Sequence, residues 1–106
     1  WEVAKAFDGA CPLSPFISPE ALGDAATAEL ALSVNGEMRQ QGRAVDMLTG
    51  IHALVAYISR IFTLEPGDVV LTGTPEGVAA LAPGDMLEMT LANSGQPLAV
   101  FRTTVA

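Results

Sequence analysis

A lysine set in apolar company and a loop rich in glycine and threonine are the two places where this chain carries groups suited to chemistry. Lys5 stands in the run Val3-Ala4-Lys5-Ala6-Phe7, with Asp8 just beyond it. An ammonium among apolar neighbours needs an anion, either a structural carboxylate, for which Asp8 is nearest in sequence, or a bound substrate. The second place is Gly67-Asp68-Val69-Val70-Leu71-Thr72-Gly73-Thr74-Pro75-Glu76-Gly77-Val78. Val69, Val70 and Leu71 form a short apolar run suited to a strand covered on both faces, and Pro66-Gly67 ahead of it is a turn signal. Beyond the run, Gly73 and Gly77 tolerate positive φ or a close approach. Thr72 and Thr74 bring hydroxyls, and the loop brings peptide N–H groups. Such a loop suits a carboxylate or an oxyanion; it reads equally as an ordinary tight connection between strands.

The elements that must position these groups follow from patterning. Residues 1–17 hold Trp1, Val3, Phe7, Leu13, Phe16 and Ile17, with Pro12, Pro15 and Pro19 between or after them, which predicts extended chain. Residues 19–26 read as a small-residue connection. Residues 27–34 alternate imperfectly, Asn35-Gly36 is a strong hairpin turn, and Glu37 to Gln41 return as a polar strand. Asp46 is placed to cap a helix in which Met47, Leu48, Ile51, Leu54, Val55, Ile58, Ile61 and Phe62 recur at threes and fours, ending before Pro66. His52 falls at the edge of that apolar face and reads as a packing residue. Leu64-Glu65-Pro66-Gly67-Asp68 is echoed by Leu81-Ala82-Pro83-Gly84-Asp85, and each Pro-Gly-Asp turn launches a strand. The second of these strands, from Met86, turns at Asn93-Ser94-Gly95-Gln96-Pro97 and returns through Leu98 to Val105. Together these predict one mainly-β (α+β) domain, a roll or partly closed barrel with one covering helix, incomplete at its N-terminal side.

Composition narrows the partners. Of 106 residues, 50% are apolar and 16% charged, and the mean hydropathy is +0.39. That is apolar for a small monomer, so part of the surface is expected to meet another chain or a further segment, with a homodimer the natural form. No apolar run reaches the length of a membrane span. Twelve acidic against five basic residues give a net charge of −7, which argues against nucleic acid or an anionic membrane as partner. Cys11 is the single cysteine; no internal disulfide forms, which suits the cytoplasm, and the thiol reads as a small buried hydrophobe. The chain opens at Trp1 without a charged-then-apolar leader, the mark of a piece of a longer or processed protein. No two acidic residues stand at i, i+2, so the chain alone is not expected to assemble the converging oxygens a hard cation wants.

Four stretches in order resemble the fumarylacetoacetate hydrolase family, in its branch of acylpyruvate hydrolases and hydroxymuconate-type isomerases. They are Ala4-Lys5-Ala6-Phe7-Asp8-Gly9 and Cys11-Pro12-Leu13-Ser14-Pro15-Phe16; then Val34-Asn35-Gly36-Glu37 with Arg39-Gln40-Gln41-Gly42 and Asp46-Met47; then the loop from Gly67 to Val78. The match runs from about Trp1 to about Glu88. The resemblance implies the C-terminal part of a catalytic domain, a mixed β-roll with the active site in its mouth. It implies Lys5 as the catalytic lysine and Thr72, Gly73 and Thr74 as substrate-binding, the two groups meeting across one cavity. It also implies a magnesium or manganese ion (Mg2+ or Mn2+) held by a Glu-x-Glu pair and a later Asp upstream of the lysine motif, in residues this chain lacks. The implied activity is metal-dependent hydrolysis of a carbon–carbon bond in an acylpyruvate or fumarylpyruvate-type 2,4-dioxo acid. The alternatives are isomerisation or decarboxylation of hydroxymuconate-type ring-cleavage products, or an inactive half-domain serving assembly. Ala4 departs from the glycine that many members carry before the lysine. Glu88 lies near a catalytic glutamate of the founding hydrolase, yet strand alternation suits a solvent-facing residue there equally well.

Overall fold

Residues 2–106 are described by a computed structural model. Four antiparallel strands form one open sheet in the order β2-β1-β3-β4: β1 Ala28–Val34, β2 Glu37–Arg43, β3 Met86–Asn93 and β4 Gln96–Thr104. Two type I′ turns build the two hairpins. Asn35 (φ 53°) and Gly36 (φ 83°) join β1 to β2, and Ser94 (φ 51°) and Gly95 (φ 77°) join β3 to β4, the left-handed pair that matches the twist of the flanking strands. The hairpins meet along β1 and β3, from Ala28 opposite Asn93 to Val34 opposite Leu87. Pro97, which has no N–H to give to a ladder, sits beside the β-bulge between Leu91 and Ala92, on an edge strand.

The predicted Pro-Gly-Asp repeat has identical geometry in both copies. Asp68 N donates to Glu65 O at 3.0 Å and Asp85 N to Ala82 O at 3.1 Å, with Gly67 and Gly84 at φ 95° and 90°, as a type II turn requires at its third residue. Each aspartate side chain then accepts the N–H of the turn's first residue at 2.8 Å. The second copy launches β3. The first launches Val69-Leu71, which pairs with no strand among the described residues. Its residues instead flank the C-terminal end of the long helix, lining an open depression with Ile58 and Phe62. The apolar run had the composition of a doubly covered strand, but composition supplies no ladder partner, and Leu71 is 72% exposed.

Four further expectations are corrected. The long helix, α3, spans Ile51–Ile61 and is capped by Gly50; Asp46 closes a 3₁₀ turn, Ala44–Asp46, and takes a hydrogen bond from Arg43 Nε at 3.2 Å instead. Ile51, Leu54, Val55 and Ile58 are half-buried and no residue of α3 is buried, so the helix does not seal a core. The segment expected to be extended begins with a single helical turn, α1, Glu2–Lys5; Trp1 lies outside the described residues. The small-residue connection contains another turn, α2, Pro19–Leu22, with Ser18 Oγ accepting from Ala21 N at 3.1 Å. Cys11 is exposed, not buried, because the proline-rich stretch that carries it has nothing folded over it.

The buried core is small. Among the described residues it is Ala28 and Val34, at the two ends of central strand β1, with Asn93 the one buried polar residue. Asn93 satisfies itself fully: Nδ2 donates to Leu22 O at 2.8 Å and Asp24 O at 2.9 Å, and Oδ1 accepts from Thr27 Oγ1 at 2.8 Å. One side chain thereby ties the chain entering β1 to the end of β3, across a separation of about 70 residues. Many large apolar side chains stay exposed, Phe16 at 78% and Leu48 at 107% among them, which is the excess the composition announces.

Candidate active site

Strand alternation puts two rows of side chains on one face of the sheet. Gln40, Leu32, Met89 and Phe101 are in register across the four strands, and Gly42, Leu30, Leu91 and Ala99 form the next row. This face is the floor of a groove of about 550 Å³, walled on one side by residues 12–17 and rimmed by Gly73, Thr74 and Pro75. The groove is largely apolar; its polar side chains are Ser14, Gln40, Thr74 and Thr90.

The loop is clamped against edge strand β2 at three of its residues, Arg39, Gln40 and Gly42. Gln40 Nε2 donates to Thr74 Oγ1 at 2.8 Å and to Pro75 O at 2.8 Å. A Cβ on Gly42 would lie 2.9 Å from Pro75 Cβ, so only glycine leaves room for the proline ring. Gly77, at φ 104°, lies so near the Arg39 carbonyl oxygen that a Cβ would overlap it. Gly73 (φ 114°) bends the chain ahead of Thr74 with open space around it. No hydrogen bond among the described residues uses the N–H groups of Thr72, Gly73 or Thr74. The Thr74 hydroxyl has only a long contact to Pro75 O, at 3.5 Å, for its proton. Donors held open on a fixed backbone are what a carboxylate or oxyanion binds.

Of the residues singled out in the sequence, Gly73 and Thr74 border the groove. Thr72 is half-buried just behind the rim and Lys5 is exposed at the end of α1; neither lines the groove. Glu88 has the opposite strand parity, paired with Ser33 and Arg102, and accepts from Arg102 Nε at 2.7 Å, on the far face from the groove. His52 is exposed on α3. Gln40, Gly42 and Pro75 carry the clamp but no functional reading in the sequence. A glycine inside a strand, which marks a close backbone approach, was the signal at Gly42. Among the described residues no group of three or more His, Cys, Asp or Glu is arranged to hold a metal ion. The metal implied by the resemblance therefore does not fit the residues present, and no step is derived through it.

Residues 1–106 match the family described as Fumarylacetoacetate (FAA) hydrolase C-terminal, and the chain belongs to that family. The oxaloacetate tautomerase YcgM of Escherichia coli is 58% identical over 91 residues, covering 85% of this chain and 42% of that protein. Among solved structures, a fumarylacetoacetate hydrolase family protein of Yersinia pestis superposes with a TM-score of 0.90 at 51% identity, covering all of this chain and 46% of that one. Maleylpyruvate hydrolase of Sphingobium, in complex with manganese(II) and pyruvate, gives 0.85 at 34% identity, covering 95% and 37%. The chain thus spans less than half the length of these relatives. The mainly-β fold with one long helix is that of the family's C-terminal domain; within this chain the sheet is open and wholly antiparallel. Relatives include hydrolases and tautomerases. No helix among the described residues is long and apolar enough to cross a membrane.

Proposed function

We propose that the full-length protein interconverts the keto and enol forms of a 2-oxo dicarboxylic acid of the oxaloacetate type. The observation that carries this reading is the loop at Gly73 and Thr74, held on β2 at the groove's rim, with its N–H groups engaged in no hydrogen bond among the described residues. It is a ready seat for one substrate carboxylate. In the reaction a C–H bond beside the ketone breaks and an O–H bond forms on the ketone oxygen, with no net change of oxidation state. Thr74 and the loop N–H groups hold the distal carboxylate, and Lys5, which does not line the groove within this chain, is given by the resemblance alone the role of bringing an ammonium to the enolate oxygen, where negative charge develops. The 58% identity to an oxaloacetate tautomerase supports this choice of reaction. We assign the ligands of a magnesium or manganese ion to residues outside this chain, so residues 2–106 alone are inactive, and we take the working form to be a homodimer.

A second reading, carbon–carbon hydrolysis of an acylpyruvate or fumarylpyruvate, shares the same enolate and is favoured by the likeness to a maleylpyruvate hydrolase that holds pyruvate. One experiment separates the two. The full-length protein, in magnesium buffer, is given freshly dissolved oxaloacetate and, separately, an acylpyruvate. Accelerated approach to keto–enol equilibrium, with no pyruvate released from the acylpyruvate, is expected. Pyruvate release from the acylpyruvate without acceleration of tautomerisation overturns the first reading in favour of the second.

A further inference from the structure

We infer that Gln40 is a positioning residue for this site: its carboxamide fixes Thr74 Oγ1 and leaves the one hydroxyl proton directed at the groove. The inference rests on the loop's role as the carboxylate seat.

Gln40 stands in edge strand β2, half-buried, in the row that includes Leu32, Met89 and Phe101 on the groove face. Its two amide hydrogens are both spent on the loop, one on Thr74 Oγ1 and one on Pro75 O, each at 2.8 Å. The Pro75 carbonyl only accepts hydrogen bonds, so it fixes which end of the carboxamide faces the loop. Thr74 Oγ1 has one proton to give and two lone pairs. Gln40 fills one lone pair, and the sole intramolecular acceptor near the proton is Pro75 O at 3.5 Å, beyond the usual ~2.7–2.8 Å of an O–H···O bond. That carbonyl is already engaged by Gln40. The proton is therefore left for an oxygen entering the groove, and accepting an N–H polarises the hydroxyl into a better donor.

The backbone leaves the loop no easy alternative seat. Gly42 gives way to the Pro75 ring and Gly77 abuts the Arg39 carbonyl, so β2 receives the loop at Arg39, Gln40 and Gly42. Without the carboxamide, Thr74 loses its fixed rotamer and its polarising donor, while the sheet keeps its ladder, because a side chain contributes nothing to the β1–β2 backbone pairing.

The test is a double-mutant cycle in the full-length protein with oxaloacetate as substrate, with circular dichroism and thermal midpoints recorded for each variant. Thr74→Val and Gln40→Met are each expected to lower kcat/KM by roughly tenfold or more, mostly through KM, as loss of a charged hydrogen bond does. The double variant is expected to fall well short of the product of the two single losses, since Gln40 acts largely through that hydroxyl and otherwise only steadies the Pro75 carbonyl. Thr74→Ser with Gln40 intact is expected to recover most of the loss. Harmless Gln40→Met beside a damaging Thr74→Val overturns the inference and spares the loop's role; fully additive losses overturn it as well. A harmless Thr74→Val overturns the loop's role itself. Gln40→Leu, close in size and without either donor or any charge, must show the same non-additivity. If both Gln40 variants fail to fold, the residue is structural and the inference falls.

Discussion

Gly77 and Arg39 meet backbone to backbone: the glycine, at φ 104°, occupies the space beside the Arg39 carbonyl oxygen that any Cβ would need. This contact sets how closely the threonine loop can approach β2. It is the reason the Gln40 carboxamide reaches two loop atoms at once.

Gly77→Ala is expected to lift the loop off the strand edge. The positive φ alone costs about 1–2 kcal/mol in a non-glycine residue, and the overlap with a carbonyl forces movement. With the loop displaced, kcat/KM should fall by roughly tenfold or more, while far-ultraviolet circular dichroism stays that of the wild type. Steady-state kinetics on the full-length variant check this; unchanged turnover would show that the approach is dispensable.

Asn93→Ala should be the more damaging change to stability. It strips the partners of two carbonyls and of the Thr27 hydroxyl at a site only 7% exposed. Orphaned buried polar groups cost about 1–3 kcal/mol each, so a loss of about 2–4 kcal/mol is expected from urea unfolding. A loss under about 0.5 kcal/mol, typical of surface changes, would contradict the bridging role.

Acid should release a second tie. The Ala82 N–H and the Asn35 carboxamide hold the Asp85 carboxyl below its ordinary pKa of 3.8. A depressed carboxylate pKa gives stability that is complete above the unfolded value and is lost as pH falls through the folded one. Asp85→Asn is expected to lower the thermal midpoint near neutral pH, with the gap to wild type closing below pH 3.8. A gap independent of pH would mean that the charge contributes nothing.

Exposed apolar side chains should be covered in the working protein. Tyr57 and Ile61 on α3 and Phe62 at its C-terminal cap are each more than half exposed, and clustered exposed apolar side chains mark a surface that another chain or segment covers. Light scattering of the full-length protein is expected to give a dimer, and a monomer would contradict that form.

How much of this was legible in the sequence depends on whether the determinant was local. Asn35-Gly36 and Ser94-Gly95 announced their hairpins because two left-handed residues in a row have little other use. The Pro-Gly-Asp repeats announced identical turns for the same kind of reason. Val69-Leu71 misled because burial and pairing are separate requirements, and only the first leaves a mark on composition. Asp46 misled because it closes a 3₁₀ turn, Ala44–Asp46, and α3 begins only at Ile51, behind Gly50. At the site, Gly73 and Thr74 were legible as a loop chemistry, whereas Gln40 was not: its partners lie 34 and 35 residues away, and a polar residue on an edge strand is otherwise unremarkable. Asn93 hid likewise, since the turn it precedes accounts for an asparagine without any long-range role.

The most direct measurement of the central claim is a crystal structure of the full-length protein with an oxo-dicarboxylate bound. The account predicts one carboxylate within about 2.7–3.2 Å of Thr74 Oγ1 and of a loop N–H, with Lys5 Nζ on the enolate-side oxygens of the same molecule. A ligand seated away from the Gly73-Thr74 loop, or one that Lys5 and Thr74 do not share, would contradict it.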